Sequence, residues 1–252
     1  MARLAAERWG EKGPRVVLVH GSLSSAAAAF GEQQVLAERW SLIAPYRQGY
    51  SPSPATGRID PDRDADDILE VVGAGAHLVG TSMGGVVAMR AAATAPERIW
   101  SLTVIEPPAL PNGIGHPDVD ALREALRRHW ERSGDADLET FVAGFLAALN
   151  VTIPMPSPLP PPLAEAIGNL KTERPWETGV PLDALAETTF PKLVVTGGGT
   201  PGFEAVADVL AERLGAERLL FDGSPHAVQR IGEPFNAAFE KFLTAAEQAR
   251  RS

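Results

Sequence analysis

The chain contains no cysteine. Disulfides, thiolate metal ligands and a thiol nucleophile are thereby excluded. No stretch approaches the roughly 20 apolar residues of a membrane span. The opening residues, Met1-Ala2-Arg3-Leu4-Ala5-Ala6-Glu7-Arg8, carry no apolar core of signal-peptide length. The expectation is a soluble, cytoplasmic chain with no membrane span. Positive charge is in deficit, with 23 Lys and Arg against 32 Asp and Glu, a formal net charge of −9. That balance disfavours nucleic acid and anionic membranes as partners. The five histidines are scattered without ligand spacing, so no metal is expected, and no cofactor motif is present. Internal repeats are absent, and nothing in the chain sets an oligomeric state.

What remains is ordinary globular material. The 252 residues are 44% hydrophobic and 22% charged, enough for one domain or one domain carrying a large insertion. Short apolar runs alternate with helical patterns. Residues 4–9 read as an edge strand and Arg15–His20 as a strand buried on both faces. Residues 42–44, 77–80, 99–105, 192–196 and 218–221 read as further strands. Helical spacing covers residues 24–39, 60–71, 86–95, 203–214 and 233–249. Repeated strand–helix units imply a mostly parallel sheet with helices on both faces. Between Pro107 and Phe190 the alternation stops. That block contains helical patterns at 120–130 and 138–149, then a proline-rich passage from Ile153 to Leu163. It reads as a helical lid over 109–189, inserted into a core formed by 1–108 and 190–252.

The chemistry centres on Gly80-Thr81-Ser82-Met83-Gly84-Gly85. An apolar run enters this stretch and an alanine-rich helix leaves it, so Ser82 sits at a strand–turn–helix apex. Gly-x-Ser-x-Gly in that setting is the nucleophile-elbow pattern. With 24 glycines in the chain, chance accounts for some such matches, and the flanking elements are what raise this one above chance. Parallel sheets place ligands beyond the carboxyl ends of their strands. The residues at those ends are His20-Gly21, Ser82, Glu106, Gly197 to Thr200, and His226. A serine hydroxyl needs a base, and the base an orienting acid. His226, after the last strand and in a Gly-Ser-Pro loop, has the right position for the base. His20 reads as a structural partner of nearby loops, His77 as a core or edge histidine, and His116 and His129 as lid residues that lie on the surface by default, with substrate contact as the alternative.

Taken in order, His20-Gly21-Ser22, Gly80-Thr81-Ser82-Met83-Gly84-Gly85 and Gly223-Ser224-Pro225-His226 resemble the α/β-hydrolase superfamily over nearly the whole chain. The resemblance implies a serine nucleophile at Ser82 and a base at His226. It implies an oxyanion hole from the backbone N–H of Met83 and of Ser22, with Leu23 as the alternative donor. The acid departs from the common pattern. Where the family places an aspartate, this chain reads Gly197-Gly198-Gly199-Thr200-Pro201-Gly202. The leading candidate is Glu106, which resembles the arrangement in a subset of haloalkane dehalogenases. Glu204, Asp222 and the absence of a conventional acid are the alternatives. The loop Tyr46-Arg47-Gln48-Gly49-Tyr50-Ser51 also departs from the family's Asp-x-Arg-Gly pattern. It reads as structural, with Tyr46 or Tyr50 near the lid.

Two readings of the lid's apolar residues stand side by side. Phe141, Phe145, Leu146, Leu149, Met155 and Trp176 either line an acyl pocket or form the lid's own core. Leu23, Phe141, Phe145 and Trp176 are the candidate substrate contacts. The expected function is hydrolysis of carboxylic esters, lactones or thioesters through an acyl-enzyme, on a small molecule with an apolar acyl or ring portion. Ser82 argues against epoxide hydrolases and haloalkane dehalogenases, which need a carboxylate at the elbow. The same resemblance also covers C–C bond hydrolases, acyltransferases, lyases, cyclases and non-catalytic ligand-binding members.

Overall fold

The computed structural model describes residues 4–151 and 153–251. Three of the opening residues read for a leader, Met1 to Arg3, and Thr152 in the proline-rich approach, lie outside the described residues, as does Ser252.

Among the described residues, seven strands form one sheet. They are β1 (Ala6–Trp9), β2 (Arg15–Val19), β3 (Ser41–Pro45), β4 (Ala76–Thr81), β5 (Ile99–Ile105), β6 (Lys192–Thr196) and β7 (Glu217–Leu220). Their spatial order is β1-β3-β2-β4-β5-β6-β7. Only β1 runs antiparallel, pairing with β3 and covering that edge. The helices are α1 (Ala26–Phe30), α2 (Pro61–Val72), α3 (Met83–Thr94), α4 (Pro117–Ser133), α5 (Leu138–Ala148), α6 (Pro161–Leu170), α7 (Leu182–Ala186), α8 (Pro201–Leu214) and α9 (Glu233–Arg251).

The strand sequences explain the layering. Side chains alternate across a sheet, so a strand covered on both faces is apolar at every position. In β2, Val17 and Val19 pack toward α2, α3 and α8, whereas Val16 and Leu18 pack toward α1 and α9. The inner strands β4 and β6 are buried at every residue, and the edge strands β1 and β7 are only partly covered. The helix expected over 24–39 is shorter than its pattern suggests. Ser25 caps α1 by accepting from the Ala28 N–H, α1 ends at Phe30, and a 3-10 segment follows over Gly31–Glu38.

Between β5 and β6 lie α4 to α7 and a short 3-10 turn at Leu110–Gly113, with no strand among the described residues. Asp137 caps α5, and Pro161 occupies the first turn of α6, where a missing N–H costs nothing. Phe141, Val142, Leu146, Ile167 and Leu170 form a separate apolar cluster of this segment.

Candidate active site

The elbow between β4 and α3 is forced by close packing. Ser82 has φ 51° and ψ −129°, a conformation that costs a non-glycine residue about 1–3 kcal/mol. Its N–H continues the sheet ladder to the Ile105 carbonyl at 2.8 Å, and its own carbonyl accepts from the Gly85 N–H at 2.8 Å. The flanking glycines have no room for a side chain. A Cβ on Gly80 would stand 2.2 Å from the Gly84 carbonyl oxygen, and one on Gly84 would stand 2.2 Å from the Val19 carbonyl oxygen. The helix α3 therefore starts directly behind the serine, with Met83 as its first residue and its positive dipole end at the site.

Glu106 follows β5 and is 2% exposed, with φ 43°. Its backbone N–H donates to the Val195 carbonyl at 2.9 Å, which ties it to β6. Both carboxylate oxygens are engaged. Oε1 accepts from the Gly197 N–H at 2.7 Å, and Oε2 pairs with His226 Nδ1. A carboxylate only accepts, so Nδ1 carries the proton. The His226 ring stacks on Phe203 with centroids 4.8 Å apart. Ser82, Glu106 and His226 all line one cavity of about 610 Å³, together with Met83, Ser22 and Leu23.

Neither of the other acid candidates lines the cavity. Glu204 accepts from Thr196 Oγ1 at 2.7 Å and from the Gly198 N–H at 3.0 Å, and pairs with Arg218 at 2.6 Å. Asp222 lies beside Gly198.

The remaining histidines sit off the cavity. His20 is fully buried. Its Nε2 accepts the Arg47 N–H at 3.0 Å, which leaves Nδ1–H to donate to the Gly21 carbonyl at 2.8 Å. Burial first, and the Arg47 charge second, push its pKa down to about 3, so the ring is neutral. His77 is buried beside Ser101, and burial lowers it to about 4. His116 caps α4, and His129 packs between Trp130 and Phe141.

The apolar part of the cavity wall comes largely from the helical segment, including Leu126, Phe145, Leu146, Leu149, Val151 and Ile153. Of the expected substrate contacts, Leu23 and Phe145 line the cavity. Phe141 and Trp176 do not. Phe141 turns into the cluster of α5 and α6, and both rings stand edge-on to Trp130 at 5.1 Å, so packing within the segment holds them away from the cavity. Met155 likewise packs on that cluster.

One group escaped the sequence reading. Glu173, in the turn after α6, is 4% exposed and lines the cavity. It accepts from Ser22 Oγ at 2.5 Å and from Tyr50 Oη at 3.3 Å, and lies 3.7 Å from the Arg47 guanidinium. Arg47 is fully buried and pairs with Asp64 at 2.8 Å. Burial raises the Glu173 carboxyl above its ordinary value, against the pull of Arg47. Tyr46 points away and donates to Glu7 at 2.6 Å. No local motif marks Glu173, since its partners lie far away in the chain.

The described residues contain no cluster of His, Asp and Glu able to hold a metal ion, and no helix long and apolar enough to cross a membrane.

An elbow serine, a late histidine and a seven-stranded, mostly parallel sheet define a hydrolase fold, and the sequence match agrees. The Alpha/beta hydrolase family matches residues 16–238, and the chain belongs to that family. Among individual proteins it is similar to the pimeloyl-[acyl-carrier protein] methyl ester esterase of Aeromonas hydrophila, 32% identical over 104 residues, or 40% of this chain and 41% of that protein. The corresponding esterase of Methylococcus capsulatus is 34% identical over 94 residues, 37% of each chain. The matches thus span about two fifths of the length of these curated relatives. Among solved structures, an alpha/beta hydrolase from Sphaerobacter thermophilus aligns over 95% of this chain and 96% of its own, at 26% identity and a TM-score of 0.70. A thermophilic esterase from Thermogutta terrifontis aligns over 96% and 93%, at 20% identity and a TM-score of 0.69, a likeness of fold alone.

Proposed function

We propose that the protein hydrolyses carboxylic esters through an acyl-enzyme on Ser82, with His226 as general base and Glu106 as the orienting acid. The observation that carries this reading is the His226–Glu106 pair on the cavity that also holds the strained Ser82. Glu106 takes the Nδ1 proton in a hydrogen bond, so Nε2 is free to accept the Ser82 proton as the hydroxyl attacks the ester carbonyl. Electron density moves to the carbonyl oxygen. The N–H groups of Met83 and of Ser22 or Leu23 receive that oxyanion, worth about 3–4 kcal/mol for each donor removed in comparable sites. The imidazolium then returns the proton to the departing alcohol. Water, deprotonated by His226, repeats the attack and releases the acid.

The similarity to methyl ester esterases supports an ester substrate, with lactones and thioesters as chemically related acyl donors. A cavity of about 610 Å³, walled by Leu126, Phe145, Leu146 and Leu149, suits an apolar acyl or ring portion. Residues 109–189 act as a lid that excludes water from this portion, over a catalytic core formed by 1–108 and 190–252.

The test is turnover of p-nitrophenyl esters of increasing acyl length by wild type and Ser82→Ala. Wild-type hydrolysis with loss of at least about 10³ in the variant supports the reading. A wild type that turns over none of the esters, or a variant that equals it, refutes it.

A further inference from the structure

Glu173 is the only described residue of the helical segment whose side chain bonds the loop between β2 and α1 within the cavity wall. That loop carries the Ser22 and Leu23 N–H groups. It also carries backbone strain, because Leu23 has φ 57° without being glycine. Such a conformation persists where its surroundings over-determine it. One side of the loop is fixed from the core. Neutral His20 donates to the Gly21 carbonyl, is itself held by the Arg47 N–H, and meets the Tyr50 ring edge-on at 4.8 Å. The other side is fixed from the helical segment. Glu173 Oε2 receives the Ser22 hydroxyl at 2.5 Å, and Oε1 receives Tyr50 at 3.3 Å. Tyr50 therefore touches both braces. The carboxyl is itself anchored, because the Glu173 N–H donates to the Leu170 carbonyl at 3.0 Å and Arg47 lies 3.7 Å away.

We infer that Glu173 is a positioning residue for the oxyanion hole: through the Ser22 hydroxyl it holds the loop so that its N–H groups face the oxygen developing on the Ser82-bound carbonyl. The role rests on the ester-hydrolase reading and extends it. It also gives the helical segment a part in the chemistry. When the segment is seated, the donor loop is set, and when it is displaced the loop loses one of its two braces.

An oxyanion hole acts in the transition state and not on bound substrate, so a misplaced donor lowers kcat and spares KM. Displacing a donor by about 1 Å costs up to about a hundredfold. The experiment measures kcat and KM on a p-nitrophenyl ester for wild type, Glu173→Ala, Glu173→Gln, Ser22→Ala and the double alanine variant, with Ser82→Ala as background. Expected results are a ten- to hundredfold fall in kcat for Glu173→Ala and for Ser22→Ala, with KM within about threefold. Glu173→Gln, whose amide oxygen still accepts from Ser22, recovers most of the loss. The double variant is no worse than the poorer single, because both changes remove one link.

A folded Glu173→Ala or Ser22→Ala with wild-type kcat, or losses that multiply in the double variant, overturns the role. If Glu173→Ala does not fold, Ser22→Ala decides alone, since it leaves Glu173 bonded to Tyr50 and keeps the Ser22 N–H. A wild type without turnover defeats the hydrolase reading and this role together. A wild type that turns over beside unimpaired variants defeats this role only.

Discussion

Replacing Glu106 by Gln removes one charge and almost no volume, and the surrounding hydrogen bonds fix how the new amide must sit. The Gly197 N–H points at Oε1 from 2.7 Å. The amide must therefore put its oxygen there, because the reverse orientation sets two donors against each other in a site 2% exposed. Its NH₂ group then faces His226 Nδ1, which Glu106 now holds as a donor. The ring answers by moving its proton to Nε2, and the lone pair that would take the Ser82 proton is gone. The variant keeps its hydrogen bonds and its fold while losing the productive tautomer. The equivalent change in serine proteases costs about 10⁴ in kcat, or about 5 kcal/mol of transition-state stabilisation. The assay is steady-state hydrolysis of a p-nitrophenyl ester, with circular dichroism and thermal melting as controls. A fall of about 10³ or more at unchanged melting behaviour is expected. Turnover within tenfold of wild type, in a folded variant, refutes the assignment of Glu106.

Packing and charge lead to three more expected outcomes. Gly84→Ala places a Cβ 2.2 Å from the Val19 carbonyl oxygen, and urea unfolding should show a loss of about 3 kcal/mol or more. Arg47→Ala leaves Asp64 and Glu173 buried without their cation, and should cost about 3–5 kcal/mol in the same measurement. His20 and His77, held at about 3 and about 4, are neutral in the folded chain but protonate near pH 6.5 once unfolded. Their contribution is fully present above pH 6.5 and falls as pH drops toward 4, by up to about 1.4 kcal/mol per pH unit for each. Denaturation series from pH 7.5 to 4 should show that decline, and His20→Gln should flatten it.

The parts of this molecule readable from sequence are those encoded locally. The β2 run Arg15–Val19 and the Gly80–Gly85 stretch each specify their own conformation, because strand burial and turn sterics act over a few residues. The placement of Glu106 beside His226 was reachable because strand order fixes which loops meet at the carboxyl edge, although no motif joins the two residues. Contacts between distant segments were not readable. Glu173 lies 151 positions from Ser22, and an isolated glutamate after a helix carries no mark of burial. Phe141 and Phe145 differ by one helical turn on α5 and both pack against the segment's cluster, yet only Phe145 also reaches the cavity, a distinction that depends on how α5 is seated on its neighbours. The 3-10 path after Phe30 was hidden for a similar reason. There Gln33 leaves the regular helix to reach the Gln229 carbonyl and Asn236, 2.8 Å from each, and only the fold brings those partners near.

The central claim is that Ser82 is an activated nucleophile, and intact-mass analysis after fluorophosphonate treatment tests it most directly. One phosphonyl adduct per chain on wild type, absent from Ser82→Ala and strongly slowed in His226→Ala, is the predicted result. A folded wild type that stays unlabelled, or an adduct that persists in Ser82→Ala, would contradict it.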